Sequence, residues 1–389
     1  MQRPDTEGTP FDDLPLTTEV EQALSAEDDV SQELTTTQHV ADSPAEISSA
    51  QLSLSKRLLN WRTLVPLAIV LALLVYTAQK LQINPGQTWA AMRNANMLFF
   101  LAAFLTYYLS FPIRAARWRL LLENVGYTGQ GAIVLPKTGK LLEIVYISWF
   151  ANAIVPAKLG DFYRAYLLRQ EAGVSATRTF GTVLAERLLD LAVLLLLFLA
   201  AIIVSLRENL PDFLRAGLYI TLAIVLLGIV ALFLLRIFRA HIRRFIPQRF
   251  QNYYDHLQEG TLGSFKRIPL LGLLTVIIWL CEAGRFFFVA LSLNLIPGGL
   301  LHIGAAAMFI ALGEALLTIV PFTSGGIGLV ETGMLGMIAL FTSARNLGAA
   351  AVLLDRTISL FSILLIGLIV FLVASGRRAA RKRTLSQKP

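Results

Sequence analysis

Two stretches, Ile154-Val155-Pro156-Ala157-Lys158-Leu159-Gly160-Asp161 and Ile319-Val320-Pro321-Phe322-Thr323-Ser324-Gly325-Gly326, interrupt long apolar runs with the same device. Each reads Ile-Val-Pro with a glycine four residues after the proline. Proline removes a backbone donor and clashes with the preceding turn, and the glycine is a second breaker. Neither Leu141 to Pro156 nor Leu301 to Leu340 therefore reads as one uninterrupted helix. Half-helices or re-entrant hairpins are expected there.

Outward from the breaks, the flanks also repeat. Arg117 precedes Pro156 and Glu186-Arg187 follows it; Arg285 precedes Pro321 and Asp355-Arg356 follows it. The first interval is 39 residues in one copy and 36 in the other, and the second is 31 and 35. Valine and leucine matches are cheap in such a chain. Proline with glycine, followed by an acidic-Arg pair inside an apolar run, is not. The doubling reads as an internal repeat.

The surroundings are membrane material. Of 389 residues, 55% are hydrophobic and only 15% charged, against about a quarter charged in soluble chains, and the mean hydropathy is +0.62. A bilayer core of about 30 Å takes about 20 apolar residues of helix. That ruler finds six full spans, beginning near Trp61, Met97, Phe180, Leu214, Pro269 and Leu347. Lys and Arg cluster before the first span (Lys56, Arg57, Arg62), after the second (Arg114, Arg117, Arg119, Lys137, Lys140), around Arg239 to Arg267, and at Arg377 to Arg383. The excess of basic residues on one side predicts both termini cytoplasmic in a cell membrane. The two breaks then enter from opposite faces, as in the inverted repeats that many transporters use to build a midplane site. The fold expected is all-α and polytopic, with six full spans and two broken hairpins. Repeat one covers about 97–205 and repeat two about 270–375.

The net charge of +8 hides a split. Residues 1–50 hold twelve acidic residues against the lone Arg3, so this segment carries −11 and the rest +19. It has no apolar period and reads as a disordered acidic tail, a solvated spacer or a strap for the protein's own basic loops. Residues 376–389 form a basic tail after the membrane domain at 58–375.

Charge inside the spans costs about 2.5 to 3.5 kcal/mol per residue on insertion scales. Even so, Glu186, Arg187 and Asp190 fall in the third span, Glu282 and Arg285 in the fifth, and Asp355 and Arg356 in the sixth, while Asp161, Arg164, Glu314 and Glu331 flank the breaks. Arg187 with Asp190, and Glu282 with Arg285, sit three apart on one face and could neutralise each other. One reading is a set of structural ion pairs. The other is a polar cavity, because guanidinium matches phosphate geometry and helix N-termini opened at the breaks present free N–H groups. On that reading Arg117, Arg164, Arg187, Arg285, Arg356 and Asn152 bind a lipid headgroup. Glu186, Asp190, Glu282, Glu314, Glu331 and Asp355 are counter-charges or proton carriers, and Pro156, Gly160, Pro321, Gly325 and Gly326 are hinges or gates.

Other chemistry is poorly supported. Cys281 is the single cysteine, and His39, His241, His256 and His302 are scattered, so no metal or cofactor is expected. Ser324-Gly325-Gly326-Ile327-Gly328 lacks the Lys-Ser/Thr of a phosphate loop and reads as a hairpin turn. Arg236 to Leu257 mixes basic and aromatic residues beside a span, which suits anionic lipid rather than nucleic acid. Asn152, Asp161 and Tyr163 lack the partners of a catalytic set, so the chain is read as non-enzymatic.

The runs Arg114-Ala115-Ala116-Arg117-Trp118, Asn152 to Pro156 with Gly160-Asp161-Phe162-Tyr163-Arg164, Glu186-Arg187-Leu188-Leu189-Asp190, and Pro321 to Gly328 with Glu331 together resemble the flippase-like membrane domain of lysylphosphatidylglycerol synthases. The resemblance covers about Leu58 to Ser375. It implies a domain that moves lipid between leaflets. The synthases carry a soluble aminoacyl-transferring domain after the membrane part, whereas fourteen residues follow Ser375 here, so a stand-alone relative without synthase activity is expected. Relatives of that kind are associated with polyprenyl-linked and hopanoid lipids among others.

The function expected is binding and translocation of an anionic or isoprenoid, phosphate-bearing lipid. The rival is a non-transporting partner or regulator of a lipid- or glycan-modifying enzyme.

Overall fold

The computed structural model of the protein describes residues 76, 79–80, 82–127, 134–155, 159–205, 223, 227, 247–319 and 324–386. The acidic segment 1–50, the expected spans near Trp61 and Leu214, Pro156, Pro321 and the basic residues from Lys56 to Arg62 and Arg239 to Arg244 lie outside these residues.

Among the described residues every regular element is a helix. Helix α1 (Pro85–Arg93) and α2 (Met97–Asn124) each start on an asparagine whose side chain accepts from the first free backbone N–H groups. Helices α3 (Thr138–Ile154), α4 (Gly160–Ala172) and α5 (Ala176–Ser205) follow, then α6 (Gln248–Gly263), α7 (Ile268–Ser292) and α8 (Leu300–Ile319). A 3₁₀ turn at Ser324–Gly326 leads to α9 (Leu329–Ile338), and α10 (Arg345–Arg356) passes through a π-helical turn at Thr357–Phe361 into α11 (Ser362–Ser386).

Among the described residues five helical stretches are long and apolar enough to cross a bilayer: Met97–Asn124, Ala176–Val204, Ile268–Ser292, Leu300–Ile319 and Arg345–Arg377. The chain is a multi-pass helical membrane protein. One expectation gains detail and one needs correction. The broken stretch Leu301 to Leu340 divides unevenly: its 20-residue first arm, about 30 Å at 1.5 Å per residue, is itself long enough to cross. Arg114 and Arg117 are not loop residues after the second span. They lie inside α2, buried, because the helix runs on through Pro112 to Asn124.

Helices α2 and α7 pack along each other at the centre, with α3 against α2 and α11, and α8 against α7 and α5. The order long helix, arm, break, short helix, long helix occurs twice, as α2 to α5 and as α7 to α11. The first break is tight. A Cβ on Gly160 would lie 2.1 Å from the Ser148 carbonyl oxygen, and Ser148 Oγ donates back to the Gly160 carbonyl at 2.9 Å. At the second, Gly325 adopts φ of 64°, a left-handed conformation that glycine takes freely.

Candidate functional site

In the first copy, Glu186 and Asp190 are one helical turn apart on α5 and both face α2. Arg117 spans them, donating from Nη1 to Asp190 at 2.5 Å and to Thr275 Oγ1 at 2.8 Å, and pairing through Nη2 with Glu186 at 3.1 Å. Arg164 of α4 pairs with the second oxygen of Glu186 at 3.1 Å and lies 3.8 Å over the Trp118 ring. Arg187 turns away, gripping Asp161 at the start of α4 through Nε and Nη2, both at 2.9 Å. Asn152 at the end of α3 donates to the same carboxylate at 3.1 Å.

The second copy repeats the plan with different lengths. Arg285 of α7 pairs with Asp355 and, at 2.7 Å, with Glu314 of α8. Arg356 donates from Nε to Glu331 at 2.6 Å and from Nη2 to the Gly325 carbonyl at 2.6 Å. Glu331, third residue of α9, also accepts from the Gly328 N–H at 2.5 Å, satisfying a donor at the helix start. Arg187 with Asp161 and Arg356 with Glu331 are thus equivalent latches, each tying the helix after a break to its acidic-Arg helix. The pairs three apart in sequence are the weaker contacts: Arg187 to Asp190 is 3.7 Å and Arg285 to Glu282 is 3.5 Å. Glu282 instead pairs with Arg114 at 2.7 Å.

Between the copies lies a cavity of about 460 Å³. Asn152, Arg187, Asp190, Glu282, Arg285, Glu314, Gly325, Gly326 and Arg356 all line it, together with Arg114 and Asp161. Its remaining wall is largely apolar, from Leu188, Leu191 and Leu194 on α5, Ala311, Ala315 and Ile319 on α8, and Leu360 and Ile363 beyond the π turn. Arg117, Arg164, Glu186, Glu331, Asp355 and Gly160 are not in the lining and stand behind it as supports. Arg187 is the most open of the guanidiniums, with 31% of its side chain exposed against 0% for Arg117 and 5% for Arg356. Contributors that sequence reasoning missed include Arg114, Trp149, over which Arg114 lies at 4.6 Å, Tyr107 and Ser359. Arg114 was findable, since it sits one turn before Arg117 on the same face.

Residues 63–367 match the sequence profile of the lysylphosphatidylglycerol synthase TM region. The chain belongs to that family. Within the lysylphosphatidylglycerol synthase TM-region family it is similar to a UPF0104 membrane protein of Methanocaldococcus jannaschii, 31% identical over 58% of this chain and 94% of that protein. A UPF0104 membrane protein of Pyrococcus horikoshii is 24% identical over 74% of the chain and 90% of its own length. The glycosyltransferase AglD of Haloferax volcanii is 25% identical over 77% of this chain, and the match spans about half of AglD, 53%.

Proposed function

We propose that the protein binds a phosphate-bearing lipid, anionic or isoprenoid, in this cavity and passes it between leaflets of a cell membrane, with both termini cytoplasmic. The observation that carries the reading is the mixed lining: guanidiniums from both copies together with leucine and alanine rows from α5 and α8. A lipid needs both, a polar place for its headgroup and an apolar place for the first part of its chains. Arg187 meets the headgroup first, being the exposed fork, and its bidentate grip on Asp161 is the geometry that a phosphate would take over. Glu314, Asp190 and Glu282 then balance the guanidiniums while the cavity is empty. Val155, Ile319 and Gly325 line the cavity beside the two sequence breaks, which suits these positions to gating. The test is movement of fluorescent phospholipids and polyprenyl phosphates between leaflets of proteoliposomes. Wild type should accelerate at least one, and Arg187→Ala should lose that acceleration; no acceleration with any of them overturns the reading.

One observation favours a second reading. The likeness to the glycosyltransferase AglD supports a non-transporting partner of a lipid- or glycan-modifying enzyme. Unchanged lipid movement together with co-purification of such an enzyme would favour it.

A further inference from the structure

The two copies differ in their charge balance. In the first, Arg117, Arg164 and Arg187 face Asp161, Glu186 and Asp190, three against three. The cluster built around the second copy holds three guanidiniums, Arg114, Arg285 and Arg356. They face four carboxylates: Glu282, Glu314, Glu331 and Asp355. Apart from Glu331, whose side chain is 14% exposed, the members of this cluster are nine-tenths buried or more in a membrane interior. An uncompensated charge in such a place is relieved by taking up a proton rather than by staying ionised.

The geometry says where. Arg285 is shared by Glu314 and Asp355, so neither carboxylate has a guanidinium to itself on that side. Ser359 Oγ lies 3.5 Å from Glu314 Oε1 and 3.5 Å from Asp355 Oδ2, and it is the π-helical turn at Thr357–Phe361 that sets this hydroxyl between them. π turns recur at functional positions in helices. Glu314 and Ser359 line the cavity, whereas Asp355 lies wholly behind them, fully buried. The other groups facing this trio are the Arg356 fork, 3.6 Å from Glu314, and Tyr107, whose ring lies under Arg285 and whose hydroxyl donates to the Ser359 carbonyl at 3.3 Å.

We infer that Glu314, Ser359 and Asp355 form a proton-binding site, open to the cavity through Glu314, and that one proton accompanies each anionic headgroup. The second half rests on the function proposed above; the first does not. With the proton bound the cluster is neutral, and a phosphate can enter without meeting a surplus negative charge. Anion and proton therefore favour each other's binding by the same factor.

Infrared spectroscopy of the full-length protein in liposomes tests the proton site without any lipid assay. Wild type should show the carbonyl band of a buried protonated carboxyl near neutral pH, lost in the Glu314→Gln, Asp355→Asn double variant and shifted in Ser359→Ala. The two amides are isosteres of the protonated acids, and the serine variant removes only the relay. No such band, a band untouched by all these changes, or a sodium or potassium requirement in its place overturns the site. Coupling is read with the membrane potential clamped to zero. A one-unit pH difference should bias an anionic fluorescent lipid toward one leaflet by up to about tenfold, and Asp355→Asn should abolish the bias. Lipid movement indifferent to the gradient sinks the coupling alone. A carboxyl band with no lipid movement sinks the transport reading and leaves the proton site standing.

Discussion

Arg114 and Glu282 occupy equivalent positions in the two copies, three residues before Arg117 and Arg285 respectively, and they pair with each other at 2.7 Å across the α2–α7 interface. One position thus carries opposite charges in the two copies, so the contact at the seam is attractive. Identical charges there would repel, and the sign change is what lets the two central helices close. Removing one partner leaves the other's buried charge with at most the longer Arg285–Glu282 contact of 3.5 Å, at a cost of about 3 to 5 kcal/mol. Arg114→Ala should therefore lower the thermal midpoint in detergent sharply, and Arg114→Met with Glu282→Met should recover most of the loss. Equal destabilisation by the single and the double change would refute the pairing.

Arg117 and Arg187 should separate support from binding. Arg117→Ala takes the shared guanidinium from Glu186, behind the cavity, and from Asp190, in its wall, and the protein should fall in abundance in the membrane, at about 3 to 5 kcal/mol. Arg187→Ala leaves the buried Asp161 still bonded to Asn152, and with a third of the Arg187 side chain exposed it should cost less, about 1 to 3 kcal/mol. Its lipid movement should drop about ten- to a hundredfold, the weight of a charge-assisted hydrogen bond. Matched abundance in quantitative membrane blots for both variants would contradict the distinction.

Glu331 serves two ends at once, closing the start of α9 and holding Arg356. Glu331→Ala should cost about 1 to 3 kcal/mol and raise amide exchange across Leu329–Ile338. Glu331→Gln keeps an acceptor for the Gly328 N–H and should exchange nearer to wild type. Identical exchange in all three proteins would count against this double role.

Glycine substitutions should sort by space. At Gly160 a methyl group would stand 2.1 Å from the Ser148 carbonyl oxygen, so Gly160→Ala must part α3 from α4. Around Gly272, inside α7, nothing lies within 4 Å of where a methyl group would stand, and Gly272→Ala should be neutral or stabilise by up to about 1 kcal/mol. Detergent melting curves that rank the two variants the other way would undo the packing argument.

The breaks, the doubling and the buried charges were legible in the sequence because each is a local violation of what a membrane helix tolerates. Proline with glycine at 156–160 and 321–325, and an acidic-Arg pair at 186–187 and 355–356, stand out against any apolar background. Partner choice was not legible. Spacing of three suggested Arg187 with Asp190 and Arg285 with Glu282, yet the shortest contacts reach across helices, from Arg187 to Asp161 and from Arg285 to Asp355 and Glu314. A fork grips a carboxylate best when the two approach from separate elements, and that approach is set by packing. Ser359 was invisible for the same reason, since nothing local announces a π turn. The division between lining and supporting residues, such as Arg187 against Arg117, depends on where α5 sits and leaves no mark in one-dimensional order.

The π turn at Thr357–Phe361 has a geometric effect larger than its length. A wider turn adds a residue to the helix, and one residue is about 100° of rotation. The rod that begins at Arg345 is therefore out of phase with the rod that ends at Ser386. Upstream of the turn Asp355 and Arg356 point at the charged interior; downstream, Ser362 is brought round to Tyr108, hydroxyl to hydroxyl at 2.6 Å, while Leu365, Leu368 and Leu372 stand exposed along the outside. A straight α-helix carrying the same residues would swing one of those faces to the wrong side. Length here acts as a specification in its own right: every residue type in the segment could be kept, and the loss of a single position would still unscrew the charged face from the oily one.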